Sequence, residues 1–232
     1  MPTVLLVRHG RTDANSSGVL AGRAPGTHLD EVGREQARSL ALRLAGVKLA
    51  ALVSSPLERC HDTATALAAD GGAPAVEFDD RLTECDYGDW TGRPLAKLVR
   101  EKLWKVVQAT PSAATFPGGE SLRAVQARAV EAVRSHDARV AVAAGAHAVW
   151  AAVSHGDVIK AVVADALGLH LDLFQRLVVD PGSVTIVDYT DLRPFVVRLN
   201  DTGGDLSGLG RRGRRRRPAS NRATVGGTTG TS

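Results

Sequence analysis

Two arginines, two histidines and a glutamate recur where short apolar runs end. Arg8 and His9 follow Val4 to Val7, Arg59 comes soon after Leu49 to Val53, Glu84 follows Ala75 to Phe78 within the acidic, aromatic segment 81–92, and His155 follows Trp150 to Val153. A guanidinium presents a planar fork of donors to an oxyanion, and an imidazole can act as nucleophile or proton carrier near neutral pH. Two of each, brought together, make a pocket for a dianion, and a single carboxyl beside them suggests proton transfer. A phosphoryl group is the natural ligand of such a set. No Walker loop, dinucleotide fingerprint or Ser-His-Asp order competes with it.

The elements that must position these residues can be read in chain order. Val4 to Val7, four consecutive apolar residues with two valines, predicts a strand buried on both faces. In open parallel sheets, sites gather in the crevice beyond the carboxyl ends of strands, where Arg8 and His9 would lie. Residues 13–29, rich in Asn, Ser, Gly and Pro, read as a loop able to fold over the strand tip, with Asn15 and Gly22-Arg23 as polar candidates. Asp30 is a good N-cap for a helix whose Ala37, Leu40, Ala41 and Leu44 share a face until Gly46 stops it. Leu49 to Val53 is a second strand. Ser55 and Glu58 then spell a capping box with Pro56 at the first helical position, which places Arg59 in the first turn of a helix. At that position Arg59 reads equally as an anion ligand at a helix N-terminus or as a solvated partner of Asp62 or Glu58.

Ala75 to Phe78 predicts a third strand. Leu82, Tyr87 and Trp90 near Glu84 suggest a partly desolvated carboxyl suited to general acid work, although a lone loop glutamate is more commonly a solvated surface charge. Leu95 to Gln108 reads as a helical stretch and Thr110 to Gly119 as a Pro/Gly loop, together an insertion able to act as a lid. Glu120-Ser121 opens a long helix with Leu122, Val125, Ala129, Val130 and Val133 on one face. Trp150 to Val153 is a fourth buried strand, Val158 to Leu167 a helix, and Gly182 to Tyr189 and Phe195 to Leu199 complete the sheet, the last as an antiparallel edge.

With 232 residues, 44% of them hydrophobic, the chain can bury a full core and reads as one domain. Cys60 and Cys85 are the two cysteines, enough for neither a disulfide framework nor a metal cluster. The N-terminal apolar run lacks the length of a signal peptide, and the uncharged stretch Val140 to Gly156 is too short and too interrupted for a membrane span; the expectation is a cytoplasmic protein. The formal charge of +4 is unevenly spread: residues 203–232 hold seven arginines and one acid, leaving residues 1–202 at −2. That Gly/Arg-rich tail has too few apolar residues to fold and reads as a disordered, solvated basic arm rather than a nucleic-acid-binding element. Homo-oligomerisation is left open by the sequence.

The motifs, taken together, resemble the histidine phosphatase superfamily, in its phosphoglycerate-mutase-like branch and phosphatase subtype. They are Leu6-Val7-Arg8-His9-Gly10-x-Thr12-x-x-Asn15, Ser54-x-Pro56-Leu57-x-Arg59-x-x-x-Thr63-Ala64, Leu82-x-Glu84-x-x-x-Gly88-x-Trp90-x-Gly92, Gly118-Gly119-Glu120-Ser121 and Val153-Ser154-His155-Gly156, in family order over roughly residues 3–200. The resemblance implies an α/β fold, a three-layer αβα sandwich with a mostly parallel central sheet spanning residues 1–202 and a small lid insertion at about 86–118. It implies His9 as nucleophile, Arg8, Arg59 and His155 as phosphoryl ligands and Glu84 as acid and base, with no metal and no cofactor. Asn15 matches a position near the substrate. Arg11 departs from the commoner Glu or Gln there and would add a basic neighbour. The implied substrate is a small phosphorylated metabolite and the implied reaction is phosphomonoester hydrolysis. A phosphomutase is the alternative, and a phospho-ligand-binding regulator a lesser one. The other histidines, His28, His61, His136, His147 and His170, match no motif and read as surface or structural groups.

Overall fold

A computed structural model describes residues 2–69 and 73–204. Six strands form one sheet in the order β3-β2-β4-β1-β5-β6: β1 (Thr3–Arg8), β2 (Leu49–Ser54), β3 (Val76–Phe78), β4 (Val149–Ser154), β5 (Val184–Tyr189) and β6 (Pro194–Asp201). β1 and β4 lie side by side at its centre. Because side chains alternate along a strand, Val4 and Leu6 of β1 face one side with Trp150 and Ala152 of β4, while Leu5 and Val7 face the other with Ala151 and Val153. Both faces are covered, which is why the run reads as continuously apolar. Burying each Val or Leu side chain of β1 contributes roughly 1.5–3 kcal/mol.

Helices α2 (Glu31–Leu44) and α3 (Glu58–Ala68) cover one face through Leu40, Cys60 and Ala64. Helices α6 (Leu122–Ala144) and α7 (Gly156–Ala166) cover the other through Val125, Ala129, Ile159 and Val162. The result is the expected three-layer sandwich. Asp30 caps α2 by accepting from Gly33 N, and Ser121 caps α6 by accepting from Ala124 N. Among the described residues, no helix is long and apolar enough to cross a membrane. The basic tail lies outside the described residues from 205 onward.

Several local expectations are corrected. The 13–29 loop contains a short helix, α1 (Asp13–Ser17), because Thr12 and Asn15 form a reciprocal capping box at its start. The Ser55–Glu58 capping box does not form: α3 begins at Glu58 with Leu57 as an N-cap that offers no side-chain bond. Tertiary partners take both groups, since Ser55 Oγ meets His155 Nε2 at 2.8 Å and Glu58 Oε1 accepts from Gly26 N at 2.9 Å. The 95–108 stretch is two helices, α4 (Leu95–Leu98) and α5 (Lys102–Ala109). On one continuous helix Leu98 and Trp104, both buried, would point about 120° apart, and the break at 99–101 lets each helix turn its own residue into the core. Finally, β5 runs antiparallel to β1, and β6, paired antiparallel to β5, runs in the direction of β1. The chain re-enters the sheet from the strand-tip side, where Gly182 N bonds His9 O at 3.1 Å, so β5 can only run back down β1.

The inserted segment is packed rather than draped. Trp90 stacks on Trp104 with ring centroids 6.2 Å apart, and Phe116 meets both Trp90 and Tyr87 edge-on at 5.3 and 5.0 Å. These side chains are buried in the same cluster as Val4, Leu6 and Trp150, so the insertion shares the main core.

Candidate active site

Sheet register brings the first residues together. Arg8 pairs with Ser154 across β1 and β4, and His9 N then bonds Ser154 O at 3.0 Å. The next residue on each chain is therefore a neighbour of the other, and the His9 and His155 rings meet edge-on with centroids 5.3 Å apart. On the other side of β4, Ser55 N bonds Val153 O at 2.9 Å, carrying the turn into α3 to the same edge. Gly10 lets the chain leave β1 tightly: a Cβ there would run into the Gly33 carbonyl at the start of α2.

His9 is buried, and its Nδ1 lies 2.7 Å from Gly10 O. A carbonyl can only accept, so Nδ1 carries the proton and Nε2 keeps its lone pair, which accepts from Arg59 Nε at 3.2 Å. Burial and the nearby Arg59 and Arg8 charges hold the imidazole well below the usual histidine range. The ring is thus a neutral base or nucleophile at neutral pH. Burial likewise pushes His155 well down, helped by Arg59.

Arg59 is buried and binds neither Asp62 nor Glu58. Its Nη2 donates to Gly22 O at 2.8 Å and its Nη1 is buried with no hydrogen-bond partner. Asp62 is occupied by His28 Nδ1 and Leu29 N, at 2.9 and 3.2 Å. Arg59 is therefore not the solvated partner of Asp62 or Glu58. Arg8 is fully buried and donates to Val179 O at 2.7 Å. Burial draws its guanidinium down, against the opposing pull of Glu84, Asp180 and Asp157.

Glu84 is 3% exposed, so it is no surface charge. Burial, then the neighbouring Asp157 carboxylate, raises its pKa to about 7, although Arg59, the Cys85 backbone N–H and Arg8 pull the other way. Its loop is held by polar side chains. The Glu84 carbonyl accepts from Arg23 Nε at 2.8 Å and Arg128 Nη2 at 3.2 Å, and Ser154 Oγ donates to Leu82 O at 2.7 Å. Glu120 accepts from Arg23, from Arg128 and from Asp86 N, joining the loop to α6.

Asn15 and Arg11, on the chain just past the β1 tip, are engaged locally. Asn15 Oδ1 accepts from Thr12 N and Oγ1, at 3.1 and 3.0 Å. Arg11 Nε donates to Asp30 at 2.7 Å. Two groups that sequence reading assigned to helix caps prove to belong to the site's support: Ser55, which holds His155, and Glu120, which ties the Glu84 loop. Sequence reading gives Tyr87 only as a neighbour of Glu84 and assigns Asp157 no role, yet the Tyr87 hydroxyl donates to Asp157 Oδ2 at 2.8 Å. Nothing in local spacing links such pairs, 70 or 100 residues apart. His136, read as structural, bonds Asp79 at 2.7 Å.

A neutral imidazole with an available lone pair, two buried guanidiniums and a protonated carboxyl can accept a phosphoryl group and protonate its leaving oxygen. A family-level comparison matches residues 4–202 to the histidine phosphatase superfamily, branch 1. The chain is 30% identical over 208 residues to phosphoserine phosphatase 1 of Hydrogenobacter thermophilus, covering 87% of this chain and 93% of that one. It is 31% identical over 214 residues to a probable phosphoglycerate mutase of Cronobacter sakazakii, covering 90% and 95%. The solved mycobacterial glucosyl-3-phosphoglycerate phosphatase in complex with VO3 superposes with a TM-score of 0.75 at 29% identity, covering 85% of this chain and 98% of that one. The chain belongs to the histidine phosphatase superfamily, whose members similar to it are phosphatases and phosphomutases.

Proposed function

We propose that the protein is a phosphomonoester hydrolase that works through a phosphohistidine on His9, acting on a small phosphorylated metabolite. The observation that carries this reading is the His9 geometry: Nδ1–H fixed by Gly10 O, and Nε2 facing the Arg59 guanidinium, whose Nη1 is buried without a partner. In the first step His9 Nε2 attacks phosphorus as the ester P–O bond breaks, and Glu84 gives its proton to the departing alkoxide. Arg8, Arg59 and His155 stabilise the charge on the transferring oxygens, a contribution of about 3–4 kcal/mol for a single well-placed donor. In the second step Glu84, now a carboxylate, takes a proton from water as that water attacks the phosphohistidine. The P–N bond breaks, its electron pair returns to Nε2, and inorganic phosphate leaves.

Hydrolysis is favoured over phosphomutase action by the charges at the mouth. Arg11 is paired with Asp30, Arg23 shares Glu120 with Arg128, and the loop after Glu84 carries Asp86 and Asp89, so these positions offer little to the second anionic group of a bisphosphate or phosphoglycerate. Asn15 and Arg11 then act by shaping the mouth through Thr12 and Asp30. The test is incubation with labelled 3-phosphoglycerate and a panel of phosphomonoesters, separating free phosphate from isomerised product. Phosphate without isomer is expected; isomer without phosphate would make the protein a mutase, and binding with neither a regulator.

A further inference from the structure

Glu84 lies in the field of two buried guanidiniums, Arg8 and Arg59, and each favours its ionised form. A general acid in such a field needs a counterweight. Burial opposes them, and so does a second fully buried carboxyl group, Asp157, in the first turn of α7 and two residues after His155. Tyr87, three residues after Glu84 on the same loop, is also fully buried and donates its hydroxyl to Asp157 Oδ2 at 2.8 Å. The buried Lys160 ammonium lies 3.9 Å from Asp157 Oδ1, donates to Gln175 at 3.2 Å and sits 5.7 Å from the centre of the Phe174 ring. A hydrophobic residue at 157 would fill the same space without this supporting network.

We propose that Asp157 is a positioning residue for Glu84: joined to the Glu84 loop through Tyr87, it sets a fixed negative charge near the carboxyl and opposes the two arginines. The proposal rests on the reading of Glu84 as the general acid. The groups around Glu84 divide accordingly. Arg8 of β1 and Arg59 of α3 favour its anion, while Asp157 of α7 favours its acid form. Cys60 of α3 and Cys85 and Tyr87 of its own loop stay neutral, their pKa values raised by burial. Lys160 of α7 lies 3.9 Å from Asp157 and, as a cation, also favours the Glu84 anion. Arg128 and Arg23 reach the Glu84 backbone carbonyl and are themselves paired with Glu120.

The test is the pH profile of kcat/KM for an alkyl phosphomonoester such as glycerol 2-phosphate, measured on the full chain from pH 5 to 9. Asp157→Asn keeps an acceptor for Tyr87 and removes the charge. Its alkaline limb should move about one pH unit lower, near wild type at pH 5.5 and about tenfold down at pH 8. Equal loss at every pH with an unmoved limb would reduce Asp157 to a structural role and overturn the proposal, as would an upward shift. Glu84→Gln separates the two readings: if it keeps the wild-type limb, Glu84 is not the acid, whereas a limb that Glu84→Gln abolishes and Asp157→Asn leaves unmoved refutes the counterweight alone. Should Asp157→Asn fail to fold, Asp157→Asn/Lys160→Met removes the buried pair together and is expected to shift the limb in the same direction by a smaller amount, because Lys160 opposes Asp157 at Glu84. If neither folds, carboxyl carbon NMR titration of the wild type decides: an Asp157 ionised throughout the Glu84 titration supports the proposal, and an Asp157 still protonated at pH 7 overturns it.

Discussion

The candidate site has two halves built in different ways. Arg8, His9, Ser55 and His155 lie at the ends of paired strands, so the backbone ladders of β1, β2 and β4 place them and register makes them neighbours. Glu84 lies in a segment outside the sheet, between β3 and α6, and is held by a web of side-chain bonds from Arg23, Arg128, Ser154 and Glu120. The first half is rigid because altering it means breaking a sheet. The second depends on a handful of polar contacts, each worth about 0.5–3 kcal/mol. Phosphoryl capture and proton delivery should therefore be separable by mutation.

His9→Ala should have the largest effect, removing at least about three orders of magnitude from p-nitrophenyl phosphate hydrolysis with the melting temperature preserved. Substantial surviving turnover would remove the strand-tip half from the chemistry. Glu84→Gln comes next, costing about 10²–10⁴ in kcat on alkyl phosphates. The loss should be smaller on p-nitrophenyl phosphate, whose leaving group scarcely needs a proton. The same change carries a stability signature of definite sign. The Glu84 pKa is raised from 4.5 to about 7 on folding, so the folded state favours the proton, and the associated stability is full below about 4.5 and lost as pH rises through 7. Glu84→Gln, which cannot ionise, should therefore melt higher than wild type at pH 8, with the gap closing toward pH 4; an equal gap at both pH values would contradict the burial argument.

Glu120→Ala probes the web itself. It strips Arg23, Arg128 and Asp86 N of a shared acceptor and should cost about 1–3 kcal/mol in stability. Alkyl phosphate turnover should fall about tenfold, while stopped-flow formation of phosphohistidine from p-nitrophenyl phosphate stays within a few-fold of wild type. If both fall together, the halves are not independent. Removing residues 205–232 should do least, leaving turnover within twofold, since the family match ends at residue 202 and the last strand at Asp201.

The legibility of each half follows from the same difference. The strand tips could be found because a buried parallel strand writes an unbroken apolar run, and whatever polar residue ends it stands at the site edge. Helices α2 and α6 were legible for a similar reason, through the caps Asp30 and Ser121 and the apolar faces that follow. The break between α4 and α5 was not, because it arises from where Leu98 and Trp104 must point to reach the core. The Ser55–Glu58 cap was misread because a local hydrogen bond of modest value lost to partners far along the chain, His155 and Gly26.

By itself, the sequence named the candidate groups Arg8, His9, Arg59, Glu84 and His155 through the motifs that resemble the family, while local pattern alone left Arg59 between two readings and Glu84 as more commonly a surface charge. Their protonation and pairing belong to the tertiary structure. The Nδ1 proton of His9, the choice of Arg59 between Asp62 and the site, and the raised pKa of Glu84 beside Asp157 depend on burial and on partners up to 171 residues away, as between Arg8 and Val179. The reason is physical: local pattern records the periodicity of the backbone, whereas the field at a buried charge is summed over every neighbour that folding brings within reach.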